Sequence, residues 1–246
     1  MSGKVIVITG ANGGLGRALA QRFARDGERV VMLGRNLEKV AEVARDIGEA
    51  ALPIACDMTS PESISAAFAE IRKTYPRIDV LINNAAVFEP FQIEEASDDE
   101  IMRGILTNLA GPMIASREAI RMMDKGARIL NVSTESVDLP FAHLIVYQTT
   151  KTALEKFSRE LNKELWSKGI RVSVVRAGQM MGPGASGTMD PERGMRFFQA
   201  CAANGLNLME RGASHYDSAA QVFRDLIDLP ADTHVEIVAY QGRRTD

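Results

Sequence analysis

Short apolar runs rich in valine, isoleucine and leucine alternate with longer amphipathic stretches along most of the chain. The short runs lack a strict alternation of apolar and polar residues, which is typical of strands buried on both faces of a parallel sheet. The longer stretches have the spacing of helices that pack one face on such a sheet. Strands are predicted at residues 5–9, 29–33, 51–55, 78–82, 128–132, 170–175 and 235–239. Helices are predicted at residues 14–26, 37–47, 61–75, 98–123 and 146–167, the fourth with room for a bend at Gly111-Pro112.

The order of these elements predicts an α/β fold with a doubly wound, mostly parallel sheet of about seven strands and helices on both faces. The sequence has no linker rich in Pro, Gly or Ser and no internal repeat, so we expect one domain over residues 1–246. Residues 178–212 look irregular because they carry five glycines between their ends. Long segments of this kind often form lids or binding loops, so we predict a substrate-binding segment at about residues 179–212. A helix whose methionines fill gaps against the core is the alternative.

The composition argues against several classes of protein. With 246 residues, of which 46% are hydrophobic, the chain can bury a large core. The net charge of −3 gives no electrostatic case for nucleic acid, and no apolar stretch approaches the length of a membrane span. The two cysteines and three histidines lack the spacing of a disulfide framework or a metal site. Since no signal peptide is recognisable, we expect a reducing, cytoplasmic compartment.

A glycine-rich turn, Thr-Gly-Ala-Asn-Gly-Gly-Leu-Gly at residues 9–16, follows the first predicted strand and opens the first predicted helix. Glycine lets the backbone turn tightly and approach a pyrophosphate closely. The helix N-terminus then offers unpaired N–H groups and partial positive charge to the phosphates. In this strand–turn–helix context, the turn predicts a dinucleotide site.

The end of the second predicted strand bears on the choice between NAD and NADP. In this architecture an acidic residue there would bind the adenosine ribose hydroxyls of NAD. Gly34 stands at that position and Arg35 follows it. A planar guanidinium suits a 2′-phosphate, so we predict NADP(H), with NAD as the less favoured cofactor. A solvent-facing arginine is the alternative interpretation of Arg35.

Tyr147 and Lys151 lie four residues apart, so on a helix the phenol and the ammonium share a face. A free tyrosine, with a pKa of about 10, exchanges protons poorly at neutral pH. A neighbouring ammonium would lower the pKa of the phenol by up to about three units, provided that desolvation does not oppose it. The pair therefore predicts a general acid–base, although an ordinary exposed helix can carry the same spacing.

Together these features resemble the single-domain form of the short-chain dehydrogenase/reductase family over nearly the whole chain. The family's glycine turn matches Thr9, Gly10, Gly14 and Gly16, its adenine-ring aspartate matches Asp57, its Asn-Asn-Ala-Gly motif matches residues 83–86, its helix asparagine matches Asn108, and its Tyr-x-x-x-Lys matches Tyr147 and Lys151. The resemblance implies a Rossmann-type sheet and hydride transfer between a pyridine nucleotide and a carbonyl or secondary alcohol. The expected cofactor-binding residues are Gly10, Asn12, Gly14, Leu15, Gly16, Arg35, Asp57, Met58, Asn84, Ala85, Tyr147, Lys151 and Gly178.

The resemblance also implies catalytic roles. Tyr147 would give a proton to the carbonyl oxygen during reduction or take the hydroxyl proton during oxidation. Lys151 would hold the nicotinamide ribose and lower the pKa of Tyr147, and Asn108 would anchor a water that links Lys151 to solvent. Asn108 could instead bond the backbone locally within a helix, and Asp57 could instead cap the next segment.

The sequence departs from the family pattern near the expected site. The family's active-site serine aligns with Thr134, which is our prediction for the catalytic hydroxyl, and Ser133 is the runner-up. A threonine hydroxyl donates the same hydrogen bond, while its methyl group narrows the pocket. Ala86 replaces the glycine of Asn-Asn-Ala-Gly, and Ala177-Gly178 replaces a Pro-Gly pair. Residues 179–182 lack the family threonine that helps to hold the nicotinamide, and residues 240–244 lack a family-like glycine pair.

We expect a substrate pocket lined by Phe88, His143, Leu144 and parts of residues 180–209. Its Met, Phe and Leu content favours an apolar or aromatic carbonyl or alcohol, although a methionine-rich surface can also pack against another subunit. The resemblance implies a homodimer or homotetramer. The departures leave open a dinucleotide-binding regulatory or scaffold protein that catalyses little. An enoyl reductase is disfavoured, because that group spaces its tyrosine and lysine further apart.

Overall fold

A parallel sheet lies at the centre of the computed structural model, which describes residues 3–183 and 189–243. The strands are β1 (Val5–Thr9), β2 (Arg29–Gly34), β3 (Ala51–Ala55), β4 (Val80–Asn83), β5 (Arg128–Thr134), β6 (Arg171–Ala177), β7 (Met180–Met181), β8 (Ser214–His215) and β9 (Ile237–Tyr240). Across these two ranges, the main sheet has seven strands in the order β3-β2-β1-β4-β5-β6-β9, and all neighbours run parallel. The short strands β7 and β8 pair apart from it.

Helices cover both faces of this sheet. They are α1 (Gly14–Arg25), α2 (Leu37–Ile47), α3 (Pro61–Thr74), α4 (Asp98–Ile105), α5 (Gly111–Ile120), α6 (Ile145–Leu165), α7 (Pro191–Ala203) and α8 (Tyr216–Asp228). Successive residues of β1 divide the core, since Ile6 and Ile8 pack with α1, α2 and α8, whereas Val7 packs with α3, α5 and α6. All three side chains are fully buried. The predicted doubly wound α/β fold is therefore confirmed.

Local sequence explains where several helices begin. Ser60 caps α3 by accepting a hydrogen bond from Ser63 N at 3.1 Å, and Pro61 occupies the first turn. At the start of α4, Ser97 and Glu100 form a reciprocal capping box. Each cap satisfies N–H groups that have no partner within the helix, so the chain direction is fixed at these points.

The helix predicted over residues 98–123 is interrupted. A π-helical turn, Leu106–Ala110, joins α4 to α5 directly before the expected bend at Gly111-Pro112. Pro112 provides no N–H, so the regular ladder of hydrogen bonds cannot pass this point unchanged. A Cβ on Gly111 would lie 2.6 Å from the Met58 carbonyl oxygen, so the chain passes close to the segment after β3. Such turns are frequent at functional sites.

The segment at residues 178–212 is not irregular throughout, because α7 lies within it. Asp190 caps α7 by accepting a hydrogen bond from Arg193 N at 2.9 Å, and Pro191 occupies the first turn. The predicted substrate segment also includes residues 184–188, which lie outside the described residues. Helix α8 was not among the predicted elements. None of the helices in the described part of the chain is both long and apolar enough to cross a bilayer.

Candidate active site

The glycine turn between β1 and α1 is packed so closely that side chains are excluded at two positions. Gly10 has a φ of +66°, and a Cβ there would lie 2.9 Å from Ala85 Cα. A Cβ on Gly16 would lie 2.2 Å from the Gly10 carbonyl oxygen. Gly13, the residue that precedes α1, has no side chain that could cap the helix. The first N–H groups of α1 are therefore open to an anion.

A groove with a volume of ≈ 420 Å³ follows the carboxyl ends of β1, β2, β3 and β4. It straddles the point where the strand order reverses, between β1 and β4. Open parallel sheets bind their ligands at such switch points. The groove is lined by Gly10, Asn12, Gly13, Gly14, Leu15, Gly34, Arg35, Cys56, Asp57, Met58, Thr59, Asn84, Ala85, Ala86, Val87, Thr107, Met180 and Tyr216.

Most of the expected cofactor-binding residues line this groove. They are Gly10, Asn12, Gly14, Leu15, Arg35, Asp57, Met58, Asn84 and Ala85. Gly16 lies behind the turn, against the Gly10 carbonyl and the Asn84 side chain. Gly178 is not part of the lining, because its N–H donates to the Tyr240 carbonyl at 2.9 Å and joins β6 to the end of β9. The prediction that Gly178 contacts the cofactor therefore has no support from its position.

Side-chain hydrogen bonds hold the floor of the groove rigid. The Thr9 hydroxyl accepts from Asn84 N at 3.0 Å and from Ala85 N at 2.9 Å. In return, Asn84 Nδ2 donates to the Thr9 carbonyl at 2.9 Å. Asp57 Oδ1 accepts from the Thr59 N–H and hydroxyl, so its carboxylate shapes its own loop as well as the groove edge. A ligand in the groove would meet backbone that is already ordered.

Asn108 sits in the π-helical turn and is fully buried. Its Oδ1 accepts from Val87 N at 2.8 Å, and its Nδ2 donates to the Val87 carbonyl at 2.9 Å and to Thr150 Oγ1 at 3.4 Å. Val87 is 21 residues away in sequence, so the alternative of purely local bonding within a helix is wrong. The carboxamide links the chain after β4 to α6, which carries Tyr147 and Lys151.

Lys151 is almost completely buried, with 1% of its surface exposed. Its Nζ donates to the Val132 carbonyl at 2.7 Å and lies 5.8 Å from the centre of the Tyr147 ring. Burial lowers the pKa of Lys151 to about 8. The two side chains share one site, as the four-residue spacing predicts.

The expected effect of Lys151 on Tyr147 is not found. Tyr147 is half-buried. Burial raises the pKa of Tyr147 to about 12, and a hydrogen bond with the Thr134 side chain offsets only part of that rise. The Lys151 ammonium is directed to the Val132 carbonyl, and desolvation of the phenol dominates. The prediction of a lowered pKa is therefore wrong for this structure.

The two candidate hydroxyls at the end of β5 face different surroundings. Thr134 hydrogen-bonds the Tyr147 phenol, and its Oγ1 also accepts from Ser136 N at 3.2 Å. Ser133 Oγ donates to Glu155 Oε1 at 2.7 Å, and Glu155 in turn pairs with Arg176. Successive residues of a strand point to opposite faces, so only one of the two can face Tyr147. The geometry favours Thr134, as predicted.

Comparisons with known proteins agree with the fold and with the motif residues found at this site. Residues 4–190 match the model of the short chain dehydrogenases. The chain belongs to the short-chain dehydrogenase/reductase family. It is 32% identical to carbonyl reductase family member 4 of Danio rerio over 177 residues, which cover 71% of this chain and 75% of that protein.

Solved structures of family members share the fold over nearly their whole length. The 3-ketoacyl-(acyl-carrier-protein) reductase of Brucella melitensis, complexed with NADH, is 25% identical with a TM-score of 0.81, covering 97% of this chain and 96% of that chain. A short chain dehydrogenase of Burkholderia cenocepacia J2315, in complex with NADP, is 23% identical with a TM-score of 0.83, covering 98% of each chain. Family members of this shape thus bind either nucleotide.

The family match ends at residue 190, directly before α7. The region around α7 and Tyr147 is held together by aromatic side chains, whereas the groove is held by backbone contacts. Phe88 packs edge-on against Tyr147, with ring centres 5.1 Å apart, and edge-on against Phe197 of α7 at 5.8 Å. Phe141 stacks on Phe197 at 6.3 Å. Phe88, Phe141, Tyr147 and Phe197 therefore form an aromatic cluster, in which Phe88 packs against the candidate acid–base Tyr147.

Two ion pairs hold α7 beside this cluster. Arg193 pairs with Glu100 of α4 at 2.5 Å, and Arg196 pairs with Glu95 at 2.6 Å. The Arg193 guanidinium is the main cause that lowers the pKa of Glu100 to about 2, so this carboxylate is charged at neutral pH. Helix α7 is thus tied by side chains that are partly exposed, whereas the glycine turn is fixed by backbone contacts.

Among the expected substrate-pocket residues, Phe88 is exposed, with 40% of its surface accessible. Leu144 is 1% exposed and packs with Phe197 and Cys201 in a small core cluster, so it supports the pocket from behind. His143 adopts a φ of +54°, and its carbonyl accepts from Phe91 N at 2.8 Å. Its backbone therefore ties the segment before α6 to the segment after β4.

Sequence reasoning missed several residues of the groove, namely Val87, Thr107, Met180 and Tyr216. Val87 and Thr107 directly neighbour motif residues and could have been included on that ground. Tyr216 had no such signal. The pairing of β7 with β8 brings it to the groove, and a two-residue strand leaves no readable pattern.

Proposed function

We propose that this short-chain dehydrogenase transfers a hydride between NADP(H) and a carbonyl or secondary alcohol. The observation that carries the proposal is the meeting of Tyr147, Lys151, Thr134 and Asn108 at the carboxyl ends of the central strands, next to the groove. Burial, hydrogen bonding and a shared helix face would give these side chains fixed positions around one reacting atom.

The groove fits a dinucleotide because its walls require close approach of a ligand to backbone. Glycine at residues 10 and 16 is dictated by contacts below 3 Å, and α1 directs open N–H groups at the turn. Residues 10–15 would hold the pyrophosphate, and Asp57 and Met58 would border the adenine. The bound nucleotide supplies or accepts the hydride, which no side chain can do.

Two neighbouring residues favour NADP(H) over NAD(H). A Cβ on Gly34 would lie 2.6 Å from Val40 Cγ2 and 3.2 Å from Asn12 Oδ1, so a carboxylate could not stand there without displacing both neighbours. Arg35 is exposed on the lining of the groove, and no ion pair engages it among residues 3–183 and 189–243. Its guanidinium is available for a 2′-phosphate beside the N-terminus of α2.

Tyr147 would act as the acid that protonates the substrate oxygen. With a pKa of about 12 it carries its proton at neutral pH, which is the state that an acid needs. Thr134 Oγ1 would hydrogen-bond the same oxygen and orient it. Lys151, whose pKa is about 8, would pass a proton to Tyr147. Asn108 fixes the backbone at Val87, beside which Lys151 would exchange protons with solvent.

These protonation states favour reduction of a carbonyl at neutral pH. Oxidation requires the Tyr147 phenolate as a base, and the raised pKa makes that form rare below pH 12. The aromatic cluster favours a substrate with an apolar or aromatic group beside its carbonyl. We retain the expectation that residues 179–212 contribute to this pocket and that the protein is a homodimer or homotetramer.

A catalytically weak, dinucleotide-binding regulatory or scaffold protein is the second candidate. The observation in its favour is that the groove lining ends at Val87, Thr107 and Met180, while Phe88 covers Tyr147.

A single-turnover assay separates the two candidates. Enzyme loaded with NADPH is mixed with a panel of aryl and alkyl ketones, and loss of NADPH absorbance is followed together with formation of the secondary alcohol. The proposed oxidoreductase converts bound NADPH stoichiometrically with at least one apolar ketone. Tight NADPH binding without hydride transfer to any member of an apolar, polar and charged panel would support the scaffold instead.

A further inference from the structure

Tyr216 brings a hydroxyl to the glycine turn from the far end of the chain. It is the first residue of α8 and lines the groove. A Cβ placed on Gly14 would lie 3.4 Å from Tyr216 Oη and 3.5 Å from Cζ, so the phenol end stands directly over the first residue of α1. Gly14 belongs to the part of the turn that would hold the pyrophosphate.

The position of the Tyr216 ring is fixed by its neighbours. A Cβ on Gly182 would lie 2.8 Å from Tyr216 Cδ2, so the backbone after β7 approaches the ring closely. The β7–β8 ladder pairs Met180 with Ser214 and Met181 with His215, directly before Tyr216. His215 then caps α8 by accepting from Asp217 N at 3.3 Å. The Tyr216 side chain therefore extends into the groove from a helix N-terminus that these contacts hold in place.

The Tyr216 hydroxyl has no hydrogen-bond partner among residues 3–183 and 189–243, although burial raises the pKa of the phenol and keeps it protonated. Its neighbour Tyr240 differs, because its hydroxyl donates to Met180 Sδ at 3.1 Å. A partly buried donor without a partner costs free energy unless a ligand or water satisfies it. The open N–H groups of α1 lie at the same place and attract an anion.

We propose that Tyr216 Oη donates a hydrogen bond to the pyrophosphate of the bound dinucleotide. The inference rests on the proposed function and adds a contact from α8, which lies beyond the family match at residues 4–190. It also gives a reason for the sequence of residues 179–182, where no threonine or serine is present. Here β7 carries no hydroxyl toward the cofactor and instead positions the segment that does.

The test measures nucleotide affinity rather than activity. NADPH and adenosine 2′-monophosphate, which lacks the pyrophosphate, are titrated by calorimetry into wild type, Tyr216→Phe and Tyr75→Phe. Tyr75 caps the end of α3, packs against the other face of the sheet, and serves as the matched control. Because the Tyr216 hydroxyl bonds no other described residue, its removal is expected to leave the unfolding midpoint unchanged.

The proposal predicts that Tyr216→Phe weakens NADPH binding about ten-fold, as expected for loss of one hydrogen bond to a charged group. Binding of adenosine 2′-monophosphate is unchanged, and Tyr75→Phe binds both ligands like wild type. Equal NADPH affinity in Tyr216→Phe and wild type would overturn the contact while leaving the proposed function intact. Equal weakening of both ligands would also overturn it, since Tyr216 would then act on the shape of the groove. Failure of wild type to bind either pyridine nucleotide would overturn the proposed function together with the contact.

Discussion

The groove side and the substrate side of this molecule are held together in different ways. On the groove side, Gly10 and Gly16 touch neighbouring backbone so closely that a single methyl group has no room. On the substrate side, α7 is held by Phe197 packing and by partly exposed ion pairs of Arg193 and Arg196. Backbone contacts restrict which residue types are possible, whereas packed side chains can be exchanged for others of similar volume. Substitutions at the groove glycines are therefore expected to be tolerated less well than substitutions around α7.

The largest effect on activity is expected for substitution of Lys151, which lies between the groove side and the substrate side. Lys151→Met removes the charge while filling a similar volume, and we expect reduction to slow by about 100-fold or more. In wild type the ammonium is present below a pKa of about 8 and is lost above it, so the reduction rate falls as pH rises through about 8. The reduction rate of Lys151→Met should show no such fall with pH. A wild-type profile that is flat from pH 6 to about 10 would contradict the assigned role.

The next effect tests the backbone constraint itself. Gly16→Ala places a methyl group 2.2 Å from the Gly10 carbonyl oxygen, and we expect the free energy of unfolding to fall by about 2 kcal/mol and NADPH binding to be lost. The matched control is Gly27→Ala beyond the other end of α1, where a Cβ meets nothing within 4 Å. There the positive φ costs about 1 kcal/mol, and binding is unaffected. Urea unfolding and NADPH titration measure both quantities. Normal NADPH affinity in Gly16→Ala would refute the close approach.

A smaller effect concerns the choice of nucleotide within the groove. Arg35→Ala should weaken NADPH binding about ten-fold, because a charge-assisted contact to the 2′-phosphate is lost, and should leave NADH binding nearly unchanged. Lys39→Ala, on the exposed first turn of α2, controls for removal of a nearby positive charge. Calorimetric titration with each nucleotide measures the change. Equal losses for NADPH and NADH would remove the argument for NADP(H).

The smallest effect is expected on the substrate side. Arg193→Ala breaks the ion pair with Glu100, which is partly exposed, and we expect less than about 1 kcal/mol loss in the free energy of unfolding. Because α7 is then held less firmly beside Phe88, KM for the ketone should rise a few-fold while the Kd for NADPH stays constant. Steady-state kinetics and NADPH titration give both values. A change in the NADPH Kd equal to that in KM would show that the two sides are coupled.

The same contrast explains how much the sequence predicts. The strands of the main sheet and the glycine turn were predicted correctly, because buried parallel strands and closely packed glycines restrict residue type. The π-helical turn at Leu106–Ala110 and helix α8 were not anticipated. A helix within residues 178–212 was only the alternative to a binding loop, because Asp190-Pro191 is compatible with a turn or with a helix start. The groove residue Tyr216 depends on the pairing of two short strands distant in sequence.

The roles predicted for the site residues stay predictions, and one expected property, the lowered pKa of Tyr147, is wrong. Tyr147, Lys151 and Thr134 come together because α6 and β5 carry them to one edge of the sheet. The pKa of Tyr147 was expected to fall and instead rises, because the sequence does not reveal how deeply the Tyr147 hydroxyl is buried. The single domain, the cytoplasmic location and the homo-oligomer stay predictions of the sequence.

Hydride transfer in Tyr147→Phe tests the central claim most directly. The variant keeps the ring that packs against Phe88 and removes the hydroxyl group whose proton Tyr147 would donate. In a single turnover with bound NADPH and a reactive ketone, we predict a rate at least about 100-fold below that of wild type, with NADPH affinity unchanged. The control Tyr75→Phe should react like wild type. A Tyr147→Phe rate within about two-fold of wild type would contradict the assignment of Tyr147 as the catalytic acid.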